Sequence, residues 1–323
     1  MESRNTPFQE YLKTPHGRVF VDKYLQFDPD EEADCILCGK AGVQEWFSFG
    51  RFKAVRCCRC QLVYMSPRLS NTKLQKTYET TYEPNRDYEG RLHDMSEKPE
   101  RERKRRDMSV EIRLTSTHAS AGKVLDVGCG AGIYLEALPN TWEKHGVDRA
   151  PWAASYTQKV LKIPVQFGEV ESLTYPGDFF DVINMTYVIE HLRDPLRTLR
   201  ILYGWLKKGG LLIVSAPNFG SICAKLFREF YRLVDPCQHL YMFSPKTLKG
   251  ILREAGFTAK KVYYPYFNTP YCNRRDVYRL FSNYCTKVRL PMLLKSGQVP
   301  AVDRLISPPF YGNIMVMAAY KSR

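Results

Sequence analysis

Four cysteines near the start of the 323-residue chain are spaced like metal ligands. They form two CxxC pairs, Cys35 with Cys38 and Cys57 with Cys60, and the residues between the pairs are rich in strand formers. Each pair places two thiols on one tight turn, and two such turns supply the four soft ligands that a tetrahedral zinc ion takes. Because four cysteines close the coordination shell, the spacing predicts a structural zinc site rather than a catalytic one.

Two other interpretations of these cysteines stay open, namely buried free thiols and redox pairs. Cys58 lies between two candidate ligands and could replace one of them, although the CxxC register favours Cys57 and Cys60. The segment Met1–Lys13 has no apolar stretch of the kind found in signal peptides. We therefore expect a cytoplasmic protein, in which thiols stay reduced and metal binding is favoured over disulfides.

A glycine-rich loop is the second group of residues that could do chemistry. The segment Val124–Gly132 reads VLDVGCGAG, an apolar strand followed by three glycines and a predicted helix. Such a loop lets a nucleoside ligand lie against the main chain at the carboxyl end of a parallel sheet. A dinucleotide-binding loop would read GxGxxG, but here the third glycine comes one residue sooner and Asp126 precedes the first. A carboxylate there repels a pyrophosphate and suits a cofactor with an ammonium and a sulfonium, which predicts S-adenosylmethionine.

A second acid strengthens this interpretation. Asp148 ends the next apolar strand, twenty residues after Gly128. In that place its carboxylate can accept hydrogen bonds from both hydroxyl groups of a ribose. A tight turn without function remains the alternative for a glycine-rich match alone, but the loop and the acid together predict a cofactor site.

In order, these motifs resemble those of class I S-adenosylmethionine-dependent methyltransferases, in the group that includes ubiquinone-type O-methyltransferases. The resemblance covers about Lys123 to Phe257. The motifs that carry it are Val124–Gly132, Gly146–Asp148, Phe180–Val182, Glu190–Pro195, Leu206–Gly210, Ala216–Asn218, His239–Ser244 and Gly256–Phe257. The cysteine pairs with Leu62–Tyr64 and Ser66–Arg68 are also similar to the cysteine-rich lead segment of methyltransferases associated with surface glycans or secondary metabolites.

The resemblance also implies a set of cofactor contacts. These are Asp126, Gly128 and Gly130 at the methionine part, Asp148 at the ribose, Glu169 or Val170 at the adenine edge, and Thr186 or Tyr187 over the cofactor. Some ubiquinone-type members carry a further glutamate three positions before the Glu-His pair and use that cluster for a metal and for membrane association. Tyr187 stands at that position here, so the resemblance does not imply this second metal.

Two histidines are candidates for the base that an alcohol or phenol acceptor needs. His191 follows the predicted fourth strand, and the ordinary pKa of histidine suits proton removal near neutrality. A structural histidine at the start of a helix is the alternative at this position. His239 precedes Ser244 and Pro245, which are typical of a helix start, and it is either a second base or an anchor of its loop.

From Lys123 onward, short apolar runs alternate with predicted helices, which indicates a parallel sheet covered by helices. We therefore predict an α/β protein with a Rossmann-like class I methyltransferase sheet, helices on both of its faces, and a small N-terminal zinc ribbon. The predicted boundaries are an extension over 1–30, the zinc ribbon over 31–68, a connecting helical segment over 69–121, and a methyltransferase domain over 122–323 with lid insertions at 219–243 and 268–309.

The net charge of +14 belongs to the C-terminal third of the chain. From Gly220 to Arg323 there are 17 Lys and Arg against 5 Asp and Glu, which leaves 31 against 29 in the rest. An amphipathic helix is predicted over Arg274–Leu290, with basic residues beside its apolar face. Basic residues around a lid suit an anionic acceptor, and the helix suits contact with a membrane surface. An ordinary solvated basic face is the alternative.

These features favour S-adenosylmethionine-dependent O-methylation of a small-molecule or glycan-linked acceptor, which could be phosphorylated or lipid-linked. One alternative is an RNA methyltransferase that grips phosphates with the cysteine segment and the basic lid, although the near-neutral N-terminal part argues against it. Another is a non-catalytic zinc-ribbon interaction protein, which predicts no affinity for the cofactor.

The longest apolar stretch, around Leu211–Ala216, is far below the roughly 20 residues that cross a bilayer.

Overall fold

The chain divides into two compact units in a computed structural model that describes residues 27–74, 98–265, 277–278, 281–282, 285 and 312–322. The first unit contains the described parts of Met1–Thr80, Asn218–Ser244 and Tyr271–Asn313. The second contains the described parts of Thr81–Pro217, Pro245–Pro270 and Ile314–Arg323. Most of the predicted extension over 1–30, of the lid insertion over 268–309 and of the amphipathic helix over Arg274–Leu290 lies outside the described residues.

The first unit is built on a small antiparallel sheet. Its strands follow the order β1-β2-β3-β9, with β1 at Val43–Phe49, β2 at Phe52–Cys57, β3 at Val63–Met65 and β9 at Tyr241–Met242. Helix α6 (Ile222–Phe227) and a 3-10 helix at Arg228–Phe230 follow Ser221, whose side chain caps α6 by accepting a hydrogen bond from the Ala224 amide.

The core of this unit is shared between two distant parts of the chain. Phe52 and Met65 come from the cysteine-containing residues, whereas Phe227, Tyr231 and Met242 come from the segment after Pro217. The structure therefore groups much of residues 219–243, which the sequence suggests as a lid, with the cysteine-containing residues.

The second unit contains a seven-stranded sheet with helices packed against it. The strand order is β10-β11-β8-β7-β4-β5-β6. The strands are β4 (Gly122–Val127), β5 (Trp142–Asp148), β6 (Val165–Phe167), β7 (Phe180–Thr186), β8 (Leu206–Pro217), β10 (Thr258–Tyr263) and β11 (Ile314–Tyr320). The predicted α/β, Rossmann-like class I methyltransferase fold is confirmed.

The direction of one strand, β11, corrects the prediction of a parallel sheet. Strands β4 to β8 run parallel, but β11 pairs antiparallel with both β8 and β10. Strand β10 keeps an exposed face, as expected for a strand at the edge of a sheet, so it lacks the continuous apolar run that marks the buried parallel strands. The strand-helix alternation on which the prediction was based ends before these two strands begin.

Three of the helices described in this unit begin at a proline, Pro151, Pro195 or Pro245, which is favoured in the first helical turn. The described helices are α1 (Lys98–Asp107), α2 (Ser109–His118), α3 (Ile133–Ala137), α4 (Pro151–Val160), α5 (Pro195–Trp205) and α7 (Pro245–Glu254). Helix α5 is typical, since Asp194 caps it by accepting a hydrogen bond from the Arg197 amide and Pro195 occupies its first turn. Helices α1 and α2 occupy most of the described part of the predicted connecting segment.

Candidate active site

The glycine loop after β4 is shaped by three residues with positive φ. The φ angles of Gly128, Gly130 and Gly132 are 72°, 50° and 69°, a region in which other residues are strained. The Gly128 amide donates to the Val147 carbonyl at 2.7 Å, which ties the loop to β5. A Cβ on Gly128 would lie 2.3 Å from Val188 Cγ2, whereas nothing lies within 4 Å of the same position on Gly130. Gly128 is therefore required by packing, and Gly130 borders open space.

Asp148 organises this loop from the end of β5. Its Oδ2 accepts a hydrogen bond from the Gly130 amide and its Oδ1 one from the Ala150 amide, both at 2.8 Å. Burial raises the pKa of its carboxyl above the ordinary value, while the two amides oppose that shift. Each oxygen keeps a second lone pair, so the carboxylate can also accept hydrogen bonds from two ribose hydroxyl groups.

These residues fit S-adenosylmethionine. The open space beside Gly130 admits a ligand against the main chain, and Asp148 offers two acceptors a short distance along the same edge of the sheet. The amide of Gly168 donates to the Asp148 carbonyl at 3.0 Å, which brings the segment after β6 to this edge. There Val170 is buried and the side chain of Glu169 is exposed, so the two predicted adenine-edge residues adjoin the predicted ribose acceptor.

Two buried carboxyls lie near the same end of the sheet. Asp126 accepts a hydrogen bond from Asn184 Nδ2 at 2.7 Å, and Glu111 of α2 accepts one from the hydroxyl of Ser215 on β8. Burial raises the pKa of each carboxyl to about 7. Within the described residues, the second oxygen of Glu111 has no hydrogen-bond partner. A cationic group brought close would favour the ionised forms of both acids, as the predicted role of Asp126 requires.

Sequence reasoning missed Glu111. It lies in a segment where acidic and basic residues alternate, which is typical of a solvated helix face. Its only signal is its place on the helix that directly precedes the glycine-loop strand. The structure shows that this helix packs on β8 and β11, which buries the glutamate.

The turn after β7 carries the next predicted residues. Thr186 is buried at the end of the strand, and Tyr187 has a positive φ of 56° and an exposed side chain. The Tyr187 amide donates to the Ser215 carbonyl at 2.9 Å, so this strained turn is fixed to β8. His191 ends a 3-10 helix at Ile189–His191, with a partly exposed side chain. Tyr187 and His191 thus lie just past the carboxyl end of β7.

His239 belongs to the first unit and His191 to the second. The ring Nδ1 of His239 is 2.8 Å from the Leu233 carbonyl oxygen. Because a carbonyl only accepts, Nδ1 carries the proton and Nε2 carries the lone pair. Burial lowers the pKa of this imidazole, against the opposing charge of Asp235. One nitrogen of His239 is therefore anchored to its own loop, and burial favours the neutral form of the ring.

The four predicted metal ligands come together in the first unit. The Sγ atoms of Cys35, Cys38, Cys57 and Cys60 all lie within 4.8 Å of one another, and those of Cys35 and Cys60 are 3.5 Å apart. Tetrahedral zinc with Zn–S bonds of about 2.3 Å places its sulfurs roughly 3.8 Å apart, so the donor set fits that ion. Cys58 is exposed and does not belong to the cluster.

Each cysteine pair sits on a turn that the backbone closes by itself. The amides of Cys38 and Gly39 donate to the Cys35 carbonyl, and the Gln61 amide donates to the Cys57 carbonyl. Gly39 and Gln61, which follow the two pairs, both have positive φ. The two turns therefore have the same form, as expected of two halves of one metal site.

A pair of glycine substitutions separates packing from ligand binding. We expect Gly128→Ala to destabilise the fold, because its new methyl group meets Val188 in addition to the backbone strain of about 1–3 kcal/mol. Gly130→Ala adds only the strain, and its methyl group enters the open space where the cofactor is expected. It should therefore fold but bind S-adenosylmethionine at least tenfold more weakly than the unmodified protein. Thermal unfolding and calorimetric titration measure the two effects, and equal cofactor affinity of Gly130→Ala would contradict this placement.

Comparison with known proteins supports the assignment. A family described as "Methyltransferase domain" matches residues 86–262, just over half of the chain. The ubiquinone biosynthesis O-methyltransferase of Ruegeria pomeroyi is 37% identical over 102 residues, which are 30% of this chain and 41% of that protein. The malonyl-[acyl-carrier protein] O-methyltransferase of a Paenibacillus species is 28% identical over 169 residues, which are 46% of this chain and 60% of that protein. The chain thus spans about half the length of these curated relatives.

A solved structure gives the same fold. The crystal structure of a SAM-dependent methyltransferase from Archaeoglobus fulgidus aligns with a TM-score of 0.50 and 21% identity, over 73% of this chain and all of that one. This likeness concerns the fold, and the matched family covers both the glycine loop and Asp148. The chain therefore belongs to the methyltransferase-domain family and has the class I methyltransferase fold.

Proposed function

We propose that this protein transfers the methyl group of S-adenosylmethionine to an oxygen of an anionic small-molecule or glycan-linked acceptor, which could be phosphorylated or lipid-linked. The observation that carries the cofactor assignment is Asp148, whose two oxygens hold the glycine loop and retain lone pairs for a ribose. The choice of oxygen as acceptor atom is supported by the names of two relatives, both O-methyltransferases.

The residues of the chain have a limited chemical task in this reaction. When bound, S-adenosylmethionine supplies an electrophilic methyl group and a leaving group that needs no acid. The protein aligns the acceptor oxygen with that methyl group and removes the acceptor's proton. We assign proton removal to His191, which follows the strand next to the glycine-loop strand. His239 is the second candidate, through the lone pair on its Nε2.

The anionic character of the acceptor is supported by the distribution of charge. The surplus of 12 positive charges after Gly220, from 17 Lys and Arg against 5 Asp and Glu, is confined to a third of the chain. A concentration of charge of one sign attracts ligands of the other sign and speeds their encounter. This reasoning favours phosphate- or carboxylate-bearing acceptors over neutral ones.

We further propose that the four clustered cysteines hold a structural zinc ion. The donor set is complete with four sulfurs, and the matching turns on which they lie are already closed by backbone hydrogen bonds. Closed four-cysteine sites stabilise the surrounding fold and leave no position for a substrate.

We also propose a cytoplasmic protein, with contact at the inner face of the membrane as an additional feature. Among the described residues, no helix is both long and apolar enough to cross a membrane. Fractionation of cells would place the protein, and its release from membranes by salt would indicate electrostatic surface contact.

Calorimetric titration with S-adenosylmethionine tests the cofactor site. Replacing Asp148 with alanine should weaken binding roughly 10- to 100-fold, since charge-assisted hydrogen bonds contribute about 1.5–3 kcal/mol. The matched control is Asp178→Asn, which changes an exposed carboxylate paired with Lys321 and should bind like the unmodified protein. No measurable binding to the unmodified protein would favour a non-catalytic interaction protein.

The acceptor class is tested by transfer of a labelled methyl group to a cell extract. A labelled small molecule or glycolipid would support the proposal, and release of labelled methanol by mild alkali would identify a methyl ester rather than an ether. Label that disappears on ribonuclease treatment would instead support an RNA methyltransferase. In that case binding should weaken steeply with salt.

A further inference from the structure

Two arginines in the first unit contact the same tryptophan. The guanidinium carbon of Arg56 lies 4.4 Å from the ring centroid of Trp46, and that of Arg228 lies 5.2 Å from it. Both distances fall within the range of cation–π interactions. The contact joins β1, β2 and the 3-10 helix after α6, all of which belong to the same unit.

Two irregularities of the backbone meet at this place. The pairing of β1 with β2 shifts between Glu45 and Phe47, so Trp46 is the extra residue of a β-bulge. Bulges turn a side chain away from its regular direction and are common beside binding sites. Arg228 has φ 44° and ψ −113°, which is a costly conformation for a residue other than glycine. The fold thus maintains local strain where it presents the ring and one of its cations.

Neither cation has an acidic partner among the described residues. Arg56 donates one hydrogen bond, to the neutral Gln44 Oε1 at 3.1 Å. Within the described part of the chain, no carboxylate lies within ion-pair distance of Arg56 or Arg228, and Arg228 is exposed. Stacking on the indole fixes the plane of each guanidinium without using its N–H donors. Those donors are chemically suited to an external anion.

We propose that Arg56, Trp46 and Arg228 form a binding site for a phosphoryl group. The fork of an arginine matches two oxygens of a phosphate, and two such forks on one ring match its charge and its number of acceptors. This binding site lies within the first unit and goes beyond the proposed methyl transfer. The phosphoryl group belongs either to a soluble phosphate ester or to the headgroup of a lipid.

Calorimetric titration of the full chain with glycerol phosphate tests this site. We expect saturable binding that Arg56→Gln or Arg228→Gln weakens about tenfold or more. The matched control is Arg51→Gln, which changes an exposed arginine at the tip of the same hairpin that pairs with Asp28 and should bind normally. The same series is then repeated with phosphatidylcholine vesicles that contain phosphatidic acid. Arginine-dependent binding to these vesicles but not to glycerol phosphate would identify a lipid headgroup as the ligand.

Arg228→Gly separates a binding role from a structural one. Glycine tolerates the positive φ, so this variant should be at least as stable to heat as the unmodified protein while it loses phosphate binding. A purely structural arginine would show the opposite, a loss of stability. Absence of binding to both probes, or equal binding by Arg228→Gln and the unmodified protein, would overturn the proposal. Affinity for S-adenosylmethionine should be unchanged in all these variants, so failure of this site is distinguishable from failure of the proposed function.

Discussion

Replacing Cys38 with serine is expected to remove the zinc ion and to unfold the unit that contains β1, β2 and β3. Structural zinc in small cysteine sites contributes an apparent free energy of about 10–16 kcal/mol at neutral pH, which is as large as the whole stability of a typical domain, about 5–15 kcal/mol. Elemental analysis of the purified protein should show zinc lost, and circular dichroism should show lower unfolding temperature. Burial raises the pKa of the Cys35 thiol, so binding of a metal there has to displace its proton.

The sequence provides a close control for this experiment in Cys58. It lies between two members of the cluster, but it is exposed and its sulfur is outside the cluster. Cys58→Ser should therefore keep both the zinc and the unfolding temperature of the unmodified protein. Zinc retained in Cys38→Ser, or lost from Cys58→Ser, would refute the assignment of the ligands.

The second large effect is expected from His191. If this residue removes the acceptor's proton, His191→Gln should lower kcat by about 10²- to 10⁴-fold, the usual contribution of a general base, with unchanged affinity for S-adenosylmethionine. Glutamine preserves much of the shape and hydrogen bonding of histidine but does not accept a proton. The measurements are steady-state kinetics with the acceptor identified by labelling and calorimetry with the cofactor.

The pH dependence of kcat tests the involvement of His239. A histidine is a base only when it is neutral, so the rate rises with pH through its pKa. Because burial lowers the pKa of His239, an enzyme that used His239 would reach full activity at a lower pH than one that used an ordinary histidine. An unchanged kcat in His191→Gln together with a large fall in His239→Gln would reverse our assignment.

The arrangement of the candidate cofactor site was predictable from sequence because its residues are local. The glycine loop and its strand are contiguous, and Asp148 ends the neighbouring strand, so parallel pairing of β4 with β5 brings them together without further information. The arrangement of the four cysteines was predictable for the same reason, since two short turns carry all four candidate ligands. In both cases the residue types and their spacing indicate which ligand the residues could bind.

Other features depend on contacts between distant parts of the chain. The two residues of β9 are too few to show a periodic pattern, and they are fixed by pairing with β3. Glu111 resembles its charged neighbours until α2 packs on the sheet. The contact of Trp46 with Arg228 depends on a bulge and on a strained φ, which do not follow from composition. Tertiary packing decides each of these, and local sequence does not encode it.

The pairing of β3 with β9 has a consequence for synthesis of the chain. The contact of Arg68 with Tyr241 spans 173 residues, so at 5–20 residues per second the ribosome needs on the order of 10 s or more to produce the partner strand and the buried aromatic residues Phe227, Phe230 and Tyr231. During that time the hairpin of β1 and β2 has little of its core, whereas all four thiols have already emerged. Loading of the metal would therefore be an early step of biogenesis, which holds the first hairpin in shape until the rest of its unit leaves the ribosome.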